Sequence, residues 1–284
     1  MKLSSSANAL YNAFGRDAAF AYMAELGYTG LDYDISFPQE FLSEDPATFE
    51  KRFKTDAACA KQAGLTIALA HAPYPVYTEG HPEKLEDGIA AQRKAAIATA
   101  LLGCDTMVMH GAMPHWKTLY DAAEFEAINR HVFESVLPLA EEYKVRIALE
   151  NMPGVPFMPD EAAPVTSQPE TLIRYIDMMH SPYFAACLDT GHANCAHISP
   201  AEYAEKLGDR IIALHIHDNL AHDDAHGLPY TGNIDWADFA RALKKIGYDG
   251  WLNLEWRNAR FPKEHLKQAE QFAFDTLRHF AETI

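Results

Sequence analysis

Short runs of apolar and β-branched residues alternate along the chain with longer stretches in which apolar positions recur every three or four residues. The short runs have the composition of buried parallel strands and the long stretches the period of covering helices, so the alternation predicts repeated β/α units. Strands are expected at Thr29–Asp34, Leu65–Ala70, Asp105–Met109, Val145–Leu149, Phe184–Leu188, Ile211–Leu214 and Trp251–Leu254, and a weaker one at Lys2–Ser6 makes eight. Phe125, Ile128, Val132, Val136, Leu139 and Tyr143 trace one helix face, and Leu266, Ala269, Ala273, Leu277 and Phe280 trace another. Gly27, Gly64, Gly103 and Gly247 each stand between a helical stretch and the next strand, where a left-handed residue ends a helix. Eight such units in 284 residues predict one α/β domain, residues 1–284, built as a (β/α)₈ barrel with its site at the C-terminal ends of the strands. A doubly wound sheet would use fewer units and an extra domain, and no clear G-x-G-x-x-G follows the first strand.

Composition narrows the partners more than the fold. Hydrophobic residues make up 48% of the chain and charged ones 23%, enough for a large core. Lys and Arg number 24 against 40 Asp and Glu, and the formal net charge of -16 repels polyphosphate backbones and anionic lipid, so neither nucleic acid nor membrane is an expected partner. No stretch reaches the roughly 20 apolar residues that span a bilayer, and Met1–Asn8 lacks the apolar run of a secretory leader, so a cytoplasmic location is expected. Cys59, Cys104, Cys187 and Cys195 show no C-x-x-C pairing and are expected as reduced thiols. A homo-oligomer is compatible with the sequence, which points to no interface.

The chemistry lies at the C-terminal end of each strand. Six successive predicted strands end in His71, His110, Glu150, Asp189, His215 and Glu255. With 14 His and 40 acidic residues in 284 positions, six of six by chance is about one in twenty thousand, so the pattern is not background. It predicts a ring of imidazoles and carboxylates around the barrel mouth. Carboxylates desolvated together repel or protonate, and a divalent cation removes that cost. Mixed His/Asp/Glu donors suit Mn²⁺, Zn²⁺, Co²⁺ or Mg²⁺, and the absence of a cysteine donor argues against a purely structural zinc site.

The motifs His71-Ala72-Pro73-Tyr74, His110-Gly111, Leu149-Glu150-Asn151, Leu188-Asp189-Thr190-Gly191-His192, His215-Ile216-His217-Asp218 and Gly232-Asn233-Ile234-Asp235-Trp236, taken in this order, resemble the xylose-isomerase-like TIM-barrel superfamily. That superfamily holds sugar and sugar-phosphate isomerases and epimerases, inosose dehydratases and endonuclease IV. The resemblance to its ketose 3-epimerase branch implies one divalent metal, Mn²⁺ first, held by Glu150, Asp189, His215 and Glu255, with Glu150 and Glu255 also the catalytic pair. His192 matches a histidine that contacts substrate oxygen in that branch. Where the branch carries an arginine six residues after its ligand histidine, this chain has Ala221. Endonuclease IV holds three zinc ions with nine residues, whose counterparts here are His71, His110, Glu150, Asp189, His192, His215, Asp224, His226 and Glu255. His71, His110, His192, Asp224 and His226 are therefore additional ligand candidates.

The leading expectation is a metal-dependent isomerase or epimerase of a small sugar or sugar phosphate, in which the glutamates move a proton through a metal-stabilised enediolate. A lyase or dehydratase on the same scaffold, inosose dehydratase-like or cleaving a carbon-linked glycoside, is the alternative. An endonuclease IV-like trinuclear-zinc phosphodiesterase and a non-catalytic sugar-binding barrel stand behind it. Expected substrate contacts are His71, His110, Trp116, His192, His226 and Arg257, the last suited to a phosphate or carboxylate tail. His217 shares a strand face with His215 and is expected to point inward, chiefly to fill the barrel. The connections 151–169, with five prolines, and 218–235 both lie on the site face, and the first is a candidate lid.

Overall fold

Eight parallel strands and the helices between them follow the predicted order in the computed structural model, which describes residues 1–35, 42–113, 121–153 and 166–284. The strands are β1 (Lys2–Ser6), β2 (Gly30–Asp34), β3 (Thr66–His71), β4 (Thr106–Met109), β5 (Arg146–Glu150), β6 (Phe184–Asp189), β7 (Ile211–His215) and β8 (Trp251–Leu254). They form one sheet in the order β7-β6-β5-β4-β3-β2-β1-β8. The ladder meets itself just past β7, where Ile216 N–H donates to Asn253 O at 2.8 Å and Glu255 N–H to Ile216 O at 3.0 Å. The expected (β/α)₈ barrel is the observed fold.

β2 to β5 begin one residue later than expected, while β3, β5, β6 and β7 run one residue further and take in His71, Glu150, Asp189 and His215. These polar residues still pair through their backbones, Glu150 opposite Cys187 and Asp189 opposite His215, although their side chains face the barrel axis. Large side chains such as Phe133, Tyr175, Tyr203 and Phe239 fill the layer between sheet and helices. A separate small cluster, Ala68, Leu69, Val108, Ala148, Cys187 and Ala213, fills the barrel interior. Side chains on one face of a strand recur every second residue, so the positions two beyond Leu69, Val108, Ala148, Cys187 and Ala213 are His71, His110, Glu150, Asp189 and His215. A low floor of small residues thus sets the site residues at the mouth.

Caps fix the ends of several helices. Asp45 and Asp235 accept backbone N–H groups at the starts of the helices Pro46–Gln62 and Trp236–Ile246. Gly27 and Gly247, at φ 111° and 70°, end theirs in the left-handed region. The helix Ala122–Glu142 buries Phe125, Asn129, Val132, Phe133, Val136, Leu137 and Ala140, a face rotated from the predicted stripe so that Tyr143 is 39% exposed. Asn129 explains the rotation: its amide accepts from Ala112 N at 2.6 Å and donates to Ala112 O at 3.0 Å, pinning the loop after β4. In the helix Lys263–Ala281 a polar residue, Glu270, likewise joins the buried face. All four cysteines are unpaired. Among the described residues no helix is long and apolar enough to cross a membrane.

Candidate active site at the barrel mouth

Glu150, Asp189, His215 and Glu255 each bring one donor atom into a cluster in which all lie within 4.8 Å of one another. Glu150 is 1% exposed and faces imidazoles on several sides, with His110 Nε2 at 3.0 Å, His215 Nδ1 at 3.2 Å and His192 Nδ1 at 3.3 Å. Glu255 Oε2 lies 3.1 Å from the same His215 Nδ1. Three further groups adjoin: His71 and His110 share Glu150, Cys187 lies with Glu150 and His215 and so places a cysteine donor beside the cluster that the strand-end pattern does not include, and His192, His217, Asp224 and His226 form the last.

Local sequence explains the placement. Asp189 ends β6 and caps the short helix Thr190–Cys195 by accepting His192 N–H at 2.6 Å through Oδ1. Asn151 clamps β5 to β6, donating Nδ2–H to Asp189 O at 3.0 Å and accepting Asp189 N–H at 2.7 Å. The loop after β7 is organised by buried Asp218, which accepts the Trp236 indole N–H at 2.9 Å through Oδ2 and the N–H groups of Asn219 and Ile234 through Oδ1. That loop carries Asp224 and His226.

The histidines are oriented from outside the cluster. His71 Nδ1–H donates to Ala72 O at 2.8 Å, His192 Nδ1–H to Asn151 O at 2.9 Å and His226 Nδ1–H to Glu255 O at 3.3 Å. A carbonyl can only accept, so each bond places a proton on Nδ1; Nε2 then faces Glu150 from His71 at 3.6 Å and Asp224 from His226 at 2.9 Å, while His192 presents both nitrogens to the cluster. Asp189 Oδ2, Glu255 Oε2 and Asp224 Oδ1 are buried without a hydrogen-bond partner among the described residues. Acceptors left orphaned beside inward-turned imidazoles fit a divalent cation held by Glu150, Asp189, His215 and Glu255.

The electrostatics agree. Burial alone would raise Glu150, but His215 and His110 outweigh it and hold its carboxyl well below the usual range. Burial would lower His71, yet its bond to Glu150 pushes it up to about 9. His192 is raised against burial by Asp189, Asp224 and Glu150, while burial keeps His110 low. Imidazolium charge and a cation are thus alternative ways of neutralising the same carboxylates.

The predicted site residues His71, His110, Glu150, Asp189, His192, His215, Asp224, His226 and Glu255 all meet at this mouth. Arg257 stands at its edge, 43% exposed in its side chain, with Nη2 3.7 Å from Asp224 Oδ2. Trp116 and residues 154–165 of the proline-rich connection lie outside the described residues. His217 points inward as expected but joins the polar cluster, its Nε2 3.0 Å from Asp189 Oδ1 and its ring stacked on His226 at 4.1 Å. Asp32 on β2 is a member that the strand-end pattern misses. It is 7% exposed, its Oδ2 lies 3.7 Å from His215 Nε2, and burial pushes its carboxyl up. The signal for it in the sequence is the period-two step back from Asp34.

Residues 20–278 match the family model described as xylose isomerase-like TIM barrel. An uncharacterized protein of Methanocaldococcus jannaschii is 31% identical over 201 residues, covering 68% of this chain and 65% of that one, just under two thirds of its length. Fructoselysine 3-epimerase of Escherichia coli O157:H7 is 26% identical over 247 residues, 84% of each chain. The crystal structure of D-allulose 3-epimerase from a Methylomonas species superposes with a TM-score of 0.77 over 100% of this chain and 98% of that one, at 19% identity, a likeness of fold.

Proposed function

Because this chain belongs to the xylose isomerase-like TIM barrel family, we propose that it is a divalent-metal-dependent isomerase or epimerase of a small sugar or sugar phosphate. The observation that carries the reading is the meeting of Glu150, Asp189, His215 and Glu255, with both glutamates against one imidazole nitrogen. The names of relatives, fructoselysine 3-epimerase and D-psicose 3-epimerase, support epimerisation within that class. A divalent cation held by these four residues, Mn²⁺ first and Co²⁺, Mg²⁺ or Zn²⁺ as alternatives, supplies Lewis acidity that polarises the carbonyl of an open-chain sugar and acidifies the neighbouring C–H.

Glu150 and Glu255 come from different sides of the barrel, β5 and the end of β8, and serve as the proton-transfer pair. One takes the proton from carbon to give an enediolate and the other returns it. Return to the opposite face of the same carbon is epimerisation; return to the adjacent carbon is aldose–ketose isomerisation. Departure of a β-hydroxyl instead would make the site a lyase. His71, His110 and His192 hold substrate oxygens, His226 covers them from the loop, and Arg257 receives a phosphate or carboxylate tail. Positioned proton transfer is worth about 10²–10⁴-fold in rate. Glu150→Gln and Glu255→Gln should each lose at least 10²-fold in stereoisomer interconversion across a ketose and inosose panel. Full turnover in both variants refutes the mechanism, and a released water or aglycone in place of a stereoisomer assigns the lyase.

A second reading rests on the adjoining donor groups, which together hold all nine residues of the endonuclease IV pattern. The net charge of -16 weighs against a DNA substrate. Metal analysis of the purified protein separates the two readings: near one ion per chain supports the sugar enzyme, whereas near three zinc ions with nicking of abasic DNA supports the phosphodiesterase.

A further inference from the structure

We infer that Asp32 is the positioning residue for His215: its carboxylate receives the His215 Nε2–H and thereby keeps Nδ1 unprotonated and turned toward Glu150 and Glu255. The inference rests on the proposed reading of Glu150, Asp189, His215 and Glu255 as a cation site. Three observations carry it. His215 is fully buried, and its Nδ1 lies 3.2 Å from Glu150 Oε1 and 3.1 Å from Glu255 Oε2, so Nε2 is the outer nitrogen. His71, His192 and His226 each pass their outer N–H to a backbone carbonyl, whereas His215 Nε2 has no hydrogen-bond partner among the described residues. Its one ionic neighbour among them is Asp32 Oδ2 at 3.7 Å, about 0.8 Å beyond a normal N–H···O length.

Asp32 is itself held for this task. Ser4 Oγ–H donates to Asn253 Oδ1 at 2.9 Å, and Asn253 Nδ2–H donates to Asp32 Oδ2 at 2.8 Å, a chain running from β1 through β8 to β2. Asp32 Oδ1 keeps no partner among the described residues, so the carboxylate has acceptor capacity to spare. A His215 Nε2–H left without an acceptor in the buried barrel would be costly, and the Asp32 carboxyl is the acidic group within reach of it among the described residues. A carboxylate behind a ligand imidazole fixes its tautomer and raises its basicity, and losing it typically weakens metal binding 10–100-fold.

The test uses the full-length protein and its Asp32→Asn and Asp32→Ala variants. Zn²⁺ affinity is measured by competition with a fluorescent chelator, and imidazole ¹⁵N–¹H spectra are recorded on zinc-loaded, histidine-labelled protein. The expected results are a 10–100-fold loss of affinity in Asp32→Asn, at least as large in Asp32→Ala. The wild-type His215 proton should sit on Nε2 and its resonance should move upfield in Asp32→Asn. Wild-type affinity in both variants overturns the inference. So does a loss of affinity that only tracks a lower Tm of the metal-free fold with the resonance unmoved. Should neither variant fold, the zinc-loaded wild type decides: a downfield Nε2–H resonance of a carboxylate-bonded imidazole supports it, and the proton on Nδ1 or an Nε2–H at the position of an unbonded imidazole overturns it. A wild type that takes up no ion at the Glu150 group refutes the proposed function instead, so the two failures are distinguishable.

Discussion

Replacing Glu270 by glutamine isolates the cost of a buried carboxylate that no step of the proposed reaction uses. Glu270 is fully buried in the helix Lys263–Ala281, where it accepts Tyr28 Oη–H at 3.1 Å and Asn258 Nδ2–H at 3.2 Å, tying that helix to the segment that follows Glu255. Burial pushes its carboxyl from the ordinary 4.5 up to about 7, with the bonds from Asn258 and Tyr28 pulling it partway back. The folded state therefore holds the proton to higher pH than the unfolded chain. The resulting stability is complete below about pH 4.5 and is lost as pH rises through about 7, and the gap between the two values amounts to about 3 kcal/mol. Glutamine carries no charge to desolvate, but its amide can accept from only one of the two donors, at a cost of about 1 kcal/mol. Glu270→Gln should therefore be about 2 kcal/mol more stable than wild type at pH 8 and about 1 kcal/mol less stable at pH 4.5. Urea denaturation of both proteins across this range, with chelator present throughout, removes ion binding from the comparison, and other titrating groups cancel in the difference. A stability difference that stays flat from pH 4.5 to 8 would refute the reasoning.

Two further outcomes test the architecture of the mouth. A Cβ on Gly191 would lie 1.8 Å from His217 Cε1 and 2.2 Å from its Nδ1, so Gly191→Ala must displace a ring that touches Asp189; ion affinity measured by chelator competition should fall about 10-fold or more. Asp218→Ala strands the Trp236 indole N–H and two backbone N–H groups of the loop that carries Asp224 and His226. It should cost about 2–4 kcal/mol in urea denaturation and raise KM more than it lowers kcat.

The barrel and most of the polar cluster at its mouth were legible because two periods run through the sequence. Small inward residues such as Ala148, Cys187 and Ala213 precede Glu150, Asp189 and His215 by two, so strand pattern and site pattern are one signal. Reading only the residue after each strand located six members of the cluster that meets at the mouth. It passed over Asp32, which lies within β2 beside a register shift between Leu31 and Asp32. Apolar periodicity failed where a polar residue does a core residue's work: Asn129 rotates the buried face of its helix by gripping both polar groups of Ala112, and Glu270 joins another helix's core through two hydrogen bonds. Hydrophobicity scores neither. The partner of His217 was equally hidden, since the strand face says that a side chain points inward but not which carboxylate crosses the barrel to meet it.

The carbonyls that hold the histidines carry a consequence for sequence drift. Ala72, Asn151 and Glu255 supply those oxygens from the backbone, which any amino acid possesses. For the orientation of the rings, the side chain at position 72 is free to vary, whereas a one-residue insertion or deletion beside 72, 151 or 255 would carry the oxygen away from its ring. Relatives that keep this site should differ freely in residue type at the first of these positions while conserving the number of residues around all three, so chain length there, more than identity, marks which proteins share the arrangement.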